Sequence, residues 1–242
     1  MKSKQQGFTY YRSKQFPWLK IRAAIFDLDG TLIDSLKVYY QDINEIFKRV
    51  GLPPVKQETV FDIMREGKSP WDSLLPHDIE DREELLKRCL AIDNEIWTEI
   101  YEKEADLFPN SEETLKKIKK AGIKIGIVTS GWEENDEIKK LLIKRDIYSL
   151  IDIIITRDDV AKVKPAPDPI LECVDRLGLT PKECLYVGDA TSDIVAGKAA
   201  GVMTIGVVTG VSNYERLAQE KPALIIKEIS ELLDIFENSN NK

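Results

Sequence analysis

The sequence predicts an α/β fold, a parallel sheet with helices on both faces and a helical insertion after the first strand. Three observations lead there. From residue 110 onward, short apolar runs alternate with helix-periodic stretches, the order that builds a parallel sheet. A run of the same strand character, Ala23-Ala24-Ile25-Phe26, lies far upstream. Between the two, residues 36–108 carry no strong strand signal and read as helices.

The elements follow in chain order. Residues 1–20 hold Lys2, Lys4, Arg12, Lys14 and Lys20 without an acid, interleaved with Phe8, Tyr10, Tyr11, Phe16 and Trp18. They lack the continuous apolar stretch of a secretory signal and read as a basic, aromatic arm. Residues 21–35 open the core domain with the first strand. Helices are predicted over 36–50, 57–66 and about 79–104, broken by "GLPP" (51–54) and "SPWDSLLP" (69–76). They make 36–108 a helical insertion, and 109–242 completes the core. There Asn110, with Glu113 three residues on, marks a helix start, and Gly122 its end. "IKIGIVT" (123–129) is a strand, about 132–145 a helix, and "IDIIIT" (151–156) a strand. A helix from about Pro169 ends at Gly178, "CLYV" (184–187) is a buried strand, and a helix over 191–200 ends at Gly201. "VMTIGVV" (202–208) and "ALII" (223–226) are the last strands, with a helix over 228–236.

Bulk properties narrow the function. The 242 residues are 43% hydrophobic, enough for a sizeable core. A formal net charge of -7 and an isoelectric point near 5.1 argue against a nucleic-acid binder. No apolar run reaches the ~18 residues of a membrane span. Cys89, Cys173 and Cys184 have no paired spacing, which suits structural thiols in a reduced, cytoplasmic protein. A single histidine, His77, in a polar loop disfavours a zinc site or a histidine-dependent triad.

Ligands of open parallel sheets bind at the carboxyl ends of the strands. Asp27 and Asp29 follow the first strand, Thr129 and Ser130 the second. Lys164 lies in the loop after the third, and Asp189 follows the fourth, with Asp193 four residues on. Taken singly, each has an ordinary explanation as a turn former, a helix-start acid, a strand hydroxyl or a solvated charge. Together on one rim they do not. Carboxylates ~4 Å apart repel by about 4 kcal/mol per pair at an effective dielectric near 20, so such a group needs a cation. Oxygen-only donors favour a hard ion, Mg²⁺ first, since it shares phosphate oxygens with its substrate. The ammonium and the hydroxyls then complement a phosphoryl group.

"DLDGTLIDS", "IVTSG", "KVKPAPDP" and "YVGDATSDIVAGKAAGV" resemble, in order and spacing, the four motifs of the haloacid dehalogenase superfamily. The likeness is to its phosphoglycolate phosphatase and β-phosphoglucomutase branch, and it covers residues 22 to 210. It implies a Rossmann-like core with a helical cap domain. It also implies roles: Asp27 as nucleophile forming an aspartyl-phosphate, Asp29 as general acid and base, Thr129, Ser130 and Lys164 on the phosphoryl oxygens. Asp27, the main-chain carbonyl of Asp29 and Asp189 would bind Mg²⁺, with Asp193 behind them. An aspartate at position 29 points to a phosphatase or phosphomutase.

The expectation is therefore a phosphatase acting on a small phosphorylated metabolite such as phosphoglycolate, a sugar phosphate or a nucleotide. A sugar phosphomutase and a non-catalytic binding protein on the same fold are the alternatives. Pro70 stands where the mutase pattern carries an arginine, which disfavours the mutase. Arg65 and Lys68 are candidate substrate contacts from the insertion, and Trp132, after "TSG", a candidate contact or core residue.

Overall fold

The computed structural model describes residues 4–5, 8–9, 21–65, 69–78, 81–130 and 135–237. It divides into two compact units. One breaks off after Ile33 and resumes at Leu107; the other is Asp34–Asp106.

In the first unit, β1 (Lys4–Gln5) pairs antiparallel with β2 (Phe8–Thr9). The main sheet holds β3 (Ala23–Phe26), β4 (Lys124–Val128), β5 (Ile153–Ile155), β6 (Cys184–Gly188), β7 (Met203–Val207) and β8 (Leu224–Ile226). Their order is β5-β4-β3-β6-β7-β8, and every pairing is parallel. The chain therefore winds outward one way from β3 and then the other. The crevice between β3 and β6 is the topological switch point, where open α/β sheets bind ligands. The two strands run in register from Ala23 opposite Cys184 to Phe26 opposite Val187. Asp27 and Asp189 thus emerge at neighbouring ends.

Burial explains why these strands read as continuous apolar runs. All four residues of β3 are fully buried, as parallel strands covered on both faces must be. The cover comes from α5 (Ser111–Lys120), α6 (Asn135–Lys144), α7 (Asp168–Arg176), α8 (Thr191–Ala200), α9 (Tyr214–Gln219) and α10 (Glu231–Glu237). One layer under the sheet gathers Ala23, Ile25, Val128, Cys173, Val174 and Tyr186. Cys89, Cys173 and Cys184 are buried free thiols.

The second unit packs α1 (Ser35–Val50), α2 (Gln57–Arg65), α3 (Pro70–Leu74) and α4 (Arg82–Glu104) around Ile43, Ile46, Phe47, Val60 and Leu75. Trp97 lies against Tyr39 and Tyr101 at ring-centroid distances of 4.8 and 5.4 Å, and Trp71 packs on the same core. His77 is exposed.

Some details depart from the sequence reading. The stretch 69–76, expected as a break, holds α3, because Ser69 caps it by accepting from the Asp72 N–H and Pro70 fits its first turn. Asn110 makes no side-chain capping bond; it supplies a left-handed φ of 68° just before α5. No helix among the described residues is long and apolar enough to cross a membrane.

Candidate active site

Four loops at the carboxyl edge of the sheet meet at the switch point. Asp27 leaves β3 with its N–H donating to Val187 O of β6 at 2.9 Å. The chain then turns tightly: the N–H groups of Thr31, Leu32 and Ile33 all point at Leu28 O, and Gly30 N–H donates to Ile33 O. Gly30 is required here twice over. Its φ is +76°, and a Cβ would sit 2.6 Å from Asp189 Oδ2.

Asp27, Asp189 and Asp193 are all buried, and each offers a carboxylate oxygen within 4.8 Å of the others. Lys164 reaches in from the loop after β5. Its ammonium donates to Asp27 Oδ1 at 2.5 Å, Asp193 Oδ1 at 2.8 Å and the Tyr186 hydroxyl at 3.1 Å. Val128 O, at the end of β4, lies 3.4 Å away. Asp189 is held through both oxygens: Thr31 Oγ1 donates to Oδ1 at 3.1 Å and Val211 N–H to Oδ2 at 2.7 Å. Asp193 Oδ2 accepts from Ala190 N–H at 2.9 Å, tying it to the start of α8.

The electrostatics follow from three buried carboxylates facing one ammonium. Burial pushes the Asp27 carboxyl up to about 7; Lys164 pulls against this, and Asp193 and Asp29 add to it. Burial, then Asp27 and Asp193, push Asp189 well above the usual carboxylate range. Burial works against the charge of Lys164 as well, but Asp193 and Asp27 outweigh it and hold the ammonium protonated. The set is short of positive charge and offers only oxygen donors. That is the chemistry of a hard divalent cation, which would return the acids to their ionised forms.

The other expected residues fall as follows. Asp29 is half-buried, two residues beyond Asp27 and near enough to raise its pKa. Thr129 is buried just past β4, its N–H donating to Ile155 O. Ser130 Oγ is buried and has no hydrogen-bond partner among the described residues. The Arg65 side chain, Lys68 and Trp132 lie outside the described residues, as do the side chains of the arm 1–20.

The sequence reading missed Tyr186, Thr31 and the loop after β7. In that loop Thr209 Oγ1 donates to Gly30 O at 2.6 Å and Val211 N–H holds Asp189. A tyrosine inside an apolar strand and a hydroxyl after a glycine carry no signal of their own. Only the register of β3 against β6 brings them to the acids.

Fold and site together define a class, the haloacid dehalogenase-like hydrolases, whose family model matches residues 24–207. The chain belongs to that family. It is 32% identical over 222 residues to a Clostridium perfringens protein provisionally named pyrophosphatase PpaX, covering 91% of this chain and all of that one. It is 30% identical over 237 residues to the phosphoglycolate phosphatase of Escherichia coli K12, covering 88% of this chain and 91% of the relative. A crystal structure from Haemophilus somnus, provisionally described as a phosphoglycolate phosphatase, superposes with a TM-score of 0.71 at 27% identity, over 89% of this chain and 98% of that one. One from Thermotoga maritima, provisionally described as a β-phosphoglucomutase, shares the fold with a TM-score of 0.71 at 22% identity, over 90% and 99% of the two chains. This chain is accordingly an enzyme, a phosphoric monoester hydrolase of the haloacid dehalogenase type.

Proposed function

We propose that the enzyme is an Mg²⁺-dependent phosphatase that hydrolyses a small phosphomonoester through an aspartyl-phosphate on Asp27. One observation carries the reading. The Lys164 ammonium bridges Asp27 and Asp193 inside a buried acid cluster with Asp189, at the crevice between β3 and β6.

The residues divide the work in two half-reactions. A carboxylate oxygen of Asp27 attacks phosphorus, and the bond from phosphorus to the substrate's ester oxygen breaks. Asp29 gives its proton to the departing oxygen. In the second half Asp29 takes a proton from water, the water oxygen attacks phosphorus, and the bond to Asp27 breaks, freeing inorganic phosphate. Thr129 and Ser130 bind the phosphoryl oxygens, and the Lys164 ammonium sets its positive charge beside them; the Ser130 hydroxyl, which has no hydrogen-bond partner among the described residues, supports that role. Asp27, the main-chain carbonyl of Asp29 and Asp189 would hold the ion, with Asp193 behind them. When bound, Mg²⁺ there offsets the negative charge of the transferring group.

The relatives' names point to phosphoglycolate as the first substrate to try, within a class that includes sugar phosphates and nucleotides. The name of the C. perfringens relative adds pyrophosphate, a phosphoanhydride outside that class, as a second to try. The whole chain should release phosphate from p-nitrophenyl phosphate with Mg²⁺ and stop in chelator. Asp27→Asn should lose turnover by more than about 10³-fold, the scale of a missing nucleophile, with an unchanged circular dichroism spectrum. Retained turnover in Asp27→Asn would reject the assigned nucleophile. Initial rates on phosphoglycolate and pyrophosphate then decide between the two substrates.

A further inference from the structure

We infer that Tyr186 is a positioning residue, whose hydroxyl locks the Lys164 ammonium and the Asp193 carboxylate into one closed triangle of hydrogen bonds beside Asp27. Its kinetic consequence rests on the phosphatase reading above; its geometry does not.

Tyr186 is in the middle of β6, between Ile25 of β3 and Thr204 of β7, and is fully buried. Its ring belongs to the apolar layer with Ala23, Ile25, Val128, Cys173 and Val174. Phenylalanine would fill that space equally well. A hydroxyl buried there is costly unless it is paired. It is paired twice: Lys164 Nζ lies 3.1 Å away and Asp193 Oδ1 3.0 Å away, and those two are 2.8 Å from each other.

Donor accounting fixes the direction of each bond. An ammonium has three protons to give and accepts none. Asp27 and Asp193 take two of them. The third goes to the Tyr186 oxygen, because the remaining acceptor, Val128 O, is at 3.4 Å. Tyr186 then donates its own proton to Asp193 Oδ1. Three acceptors in three directions leave the nitrogen one place to sit. Lysine brings a flexible four-carbon stem from a loop, whereas Tyr186 brings a rigid ring from a central strand. The hydroxyl therefore ties the mobile partner to the stiffest part of the sheet.

The strand is built for this. Successive residues alternate between faces, so Tyr186 and Gly188 share one. A Cβ on Gly188 would lie 2.4 Å from the Asp193 side chain. The bare backbone at Gly188 thus admits the carboxylate that the hydroxyl two residues earlier engages. Without the hydroxyl, the third ammonium proton falls to the distant Val128 O and Asp193 Oδ1 loses a donor. The charge that meets the phosphoryl group is then held less firmly, and that loss appears in the chemical step more than in binding.

Tyr186→Phe in the whole chain removes one oxygen. With Mg²⁺ and an aryl phosphate, kcat should fall about tenfold, the scale of one charge-assisted hydrogen bond, while KM stays within about twofold. In protein labelled with ¹⁵N-lysine, the Lys164 ammonium resonance, identified by its loss in Lys164→Met, should exchange with water about tenfold faster in Tyr186→Phe. An unchanged exchange rate overturns the inference whatever kcat does, and so does a wild-type kcat in the variant. If Tyr186→Phe does not fold, the wild-type protein decides. A nuclear Overhauser contact between the Tyr186 hydroxyl proton and the Lys164 ammonium protons supports the inference, and its absence overturns it. An inactive wild type with the expected ammonium behaviour would reject the phosphatase reading and leave the positioning role standing.

Discussion

Asp189 is gripped at both oxygens, and the grip depends on a small residue far away in the chain. Thr31 follows the nucleophile loop, yet its hydroxyl donates to Asp189 Oδ1, a fully buried contact. Thr31→Val keeps the shape and deletes the donor. The variant should unfold in urea with about 1–3 kcal/mol less stability, the cost of leaving a buried carboxylate oxygen short of its partner. An unfolding midpoint equal to wild type would show that the contact contributes nothing. At this scale the sequence was partly legible. Asp27 and Asp189 announce themselves as charges at strand ends, and Lys164 and Asp193 as charges in the loop and helix start beyond such ends, where burial is costly without a purpose. Thr31, Tyr186 and Val211 do not, since a hydroxyl in a turn, a ring in a strand and a main-chain N–H are ordinary until strand register places them.

Among the elements, the seam between α1 and α4 carries a second pair of acids. Asp42 is buried, with Oδ1 unpaired among the described residues, and its carboxyl group hydrogen-bonds to that of Asp93. Burial, then the neighbouring Asp93, pushes Asp42 up to about 8, and burial also raises Asp93. The sign follows directly. The folded protein binds a proton that the unfolded chain releases near pH 4, so this site loses stability as pH rises from about 4 to about 8. The loss runs at up to about 1.4 kcal/mol per pH unit. The unfolding free energy of Asp42→Asn, measured against wild type across that range, should gain on wild type with rising pH. Parallel curves would mean that the pair holds no shared proton. Element boundaries were legible where chemistry punctuates them. Gly178 and Gly201 sit just past α7 and α8 with φ of +68° and +76°. They were less so where tertiary packing decides. "IDIIIT" yields only the three-residue β5, trimmed to the residues that pair with β4. The short α9, capped by Asn213 accepting from Arg216 N–H, has too few residues for a periodic signal.

For the whole molecule, the deficit of positive charge at the switch point would couple a bound cation to folding. An ion bound by the native state alone stabilises it by RT ln(1 + [L]/Kd), about 2.7 kcal/mol at a hundredfold excess over Kd. Mg²⁺ should therefore raise the melting temperature, chelator should reverse the rise, and Asp189→Asn should blunt it. A melting temperature indifferent to Mg²⁺ would remove the ion from the proposal. The parallel sheet itself was legible because buried strands are apolar throughout, and alternation with helices leaves few topologies to choose from.

The helical unit leaves and rejoins the sheet unit at adjacent points. Ile33 bridges Leu107 on one side of the junction, and Asp34 N–H donates to Asp106 O at 2.9 Å on the other. To the sheet, everything from 34 to 106 is a single excursion whose two ends already touch. Closing such an excursion costs only about 0.6 kcal/mol more for each doubling of its length. The junction is thus a socket: helical modules of other lengths and surfaces can be grafted there while the strand register stays as it is.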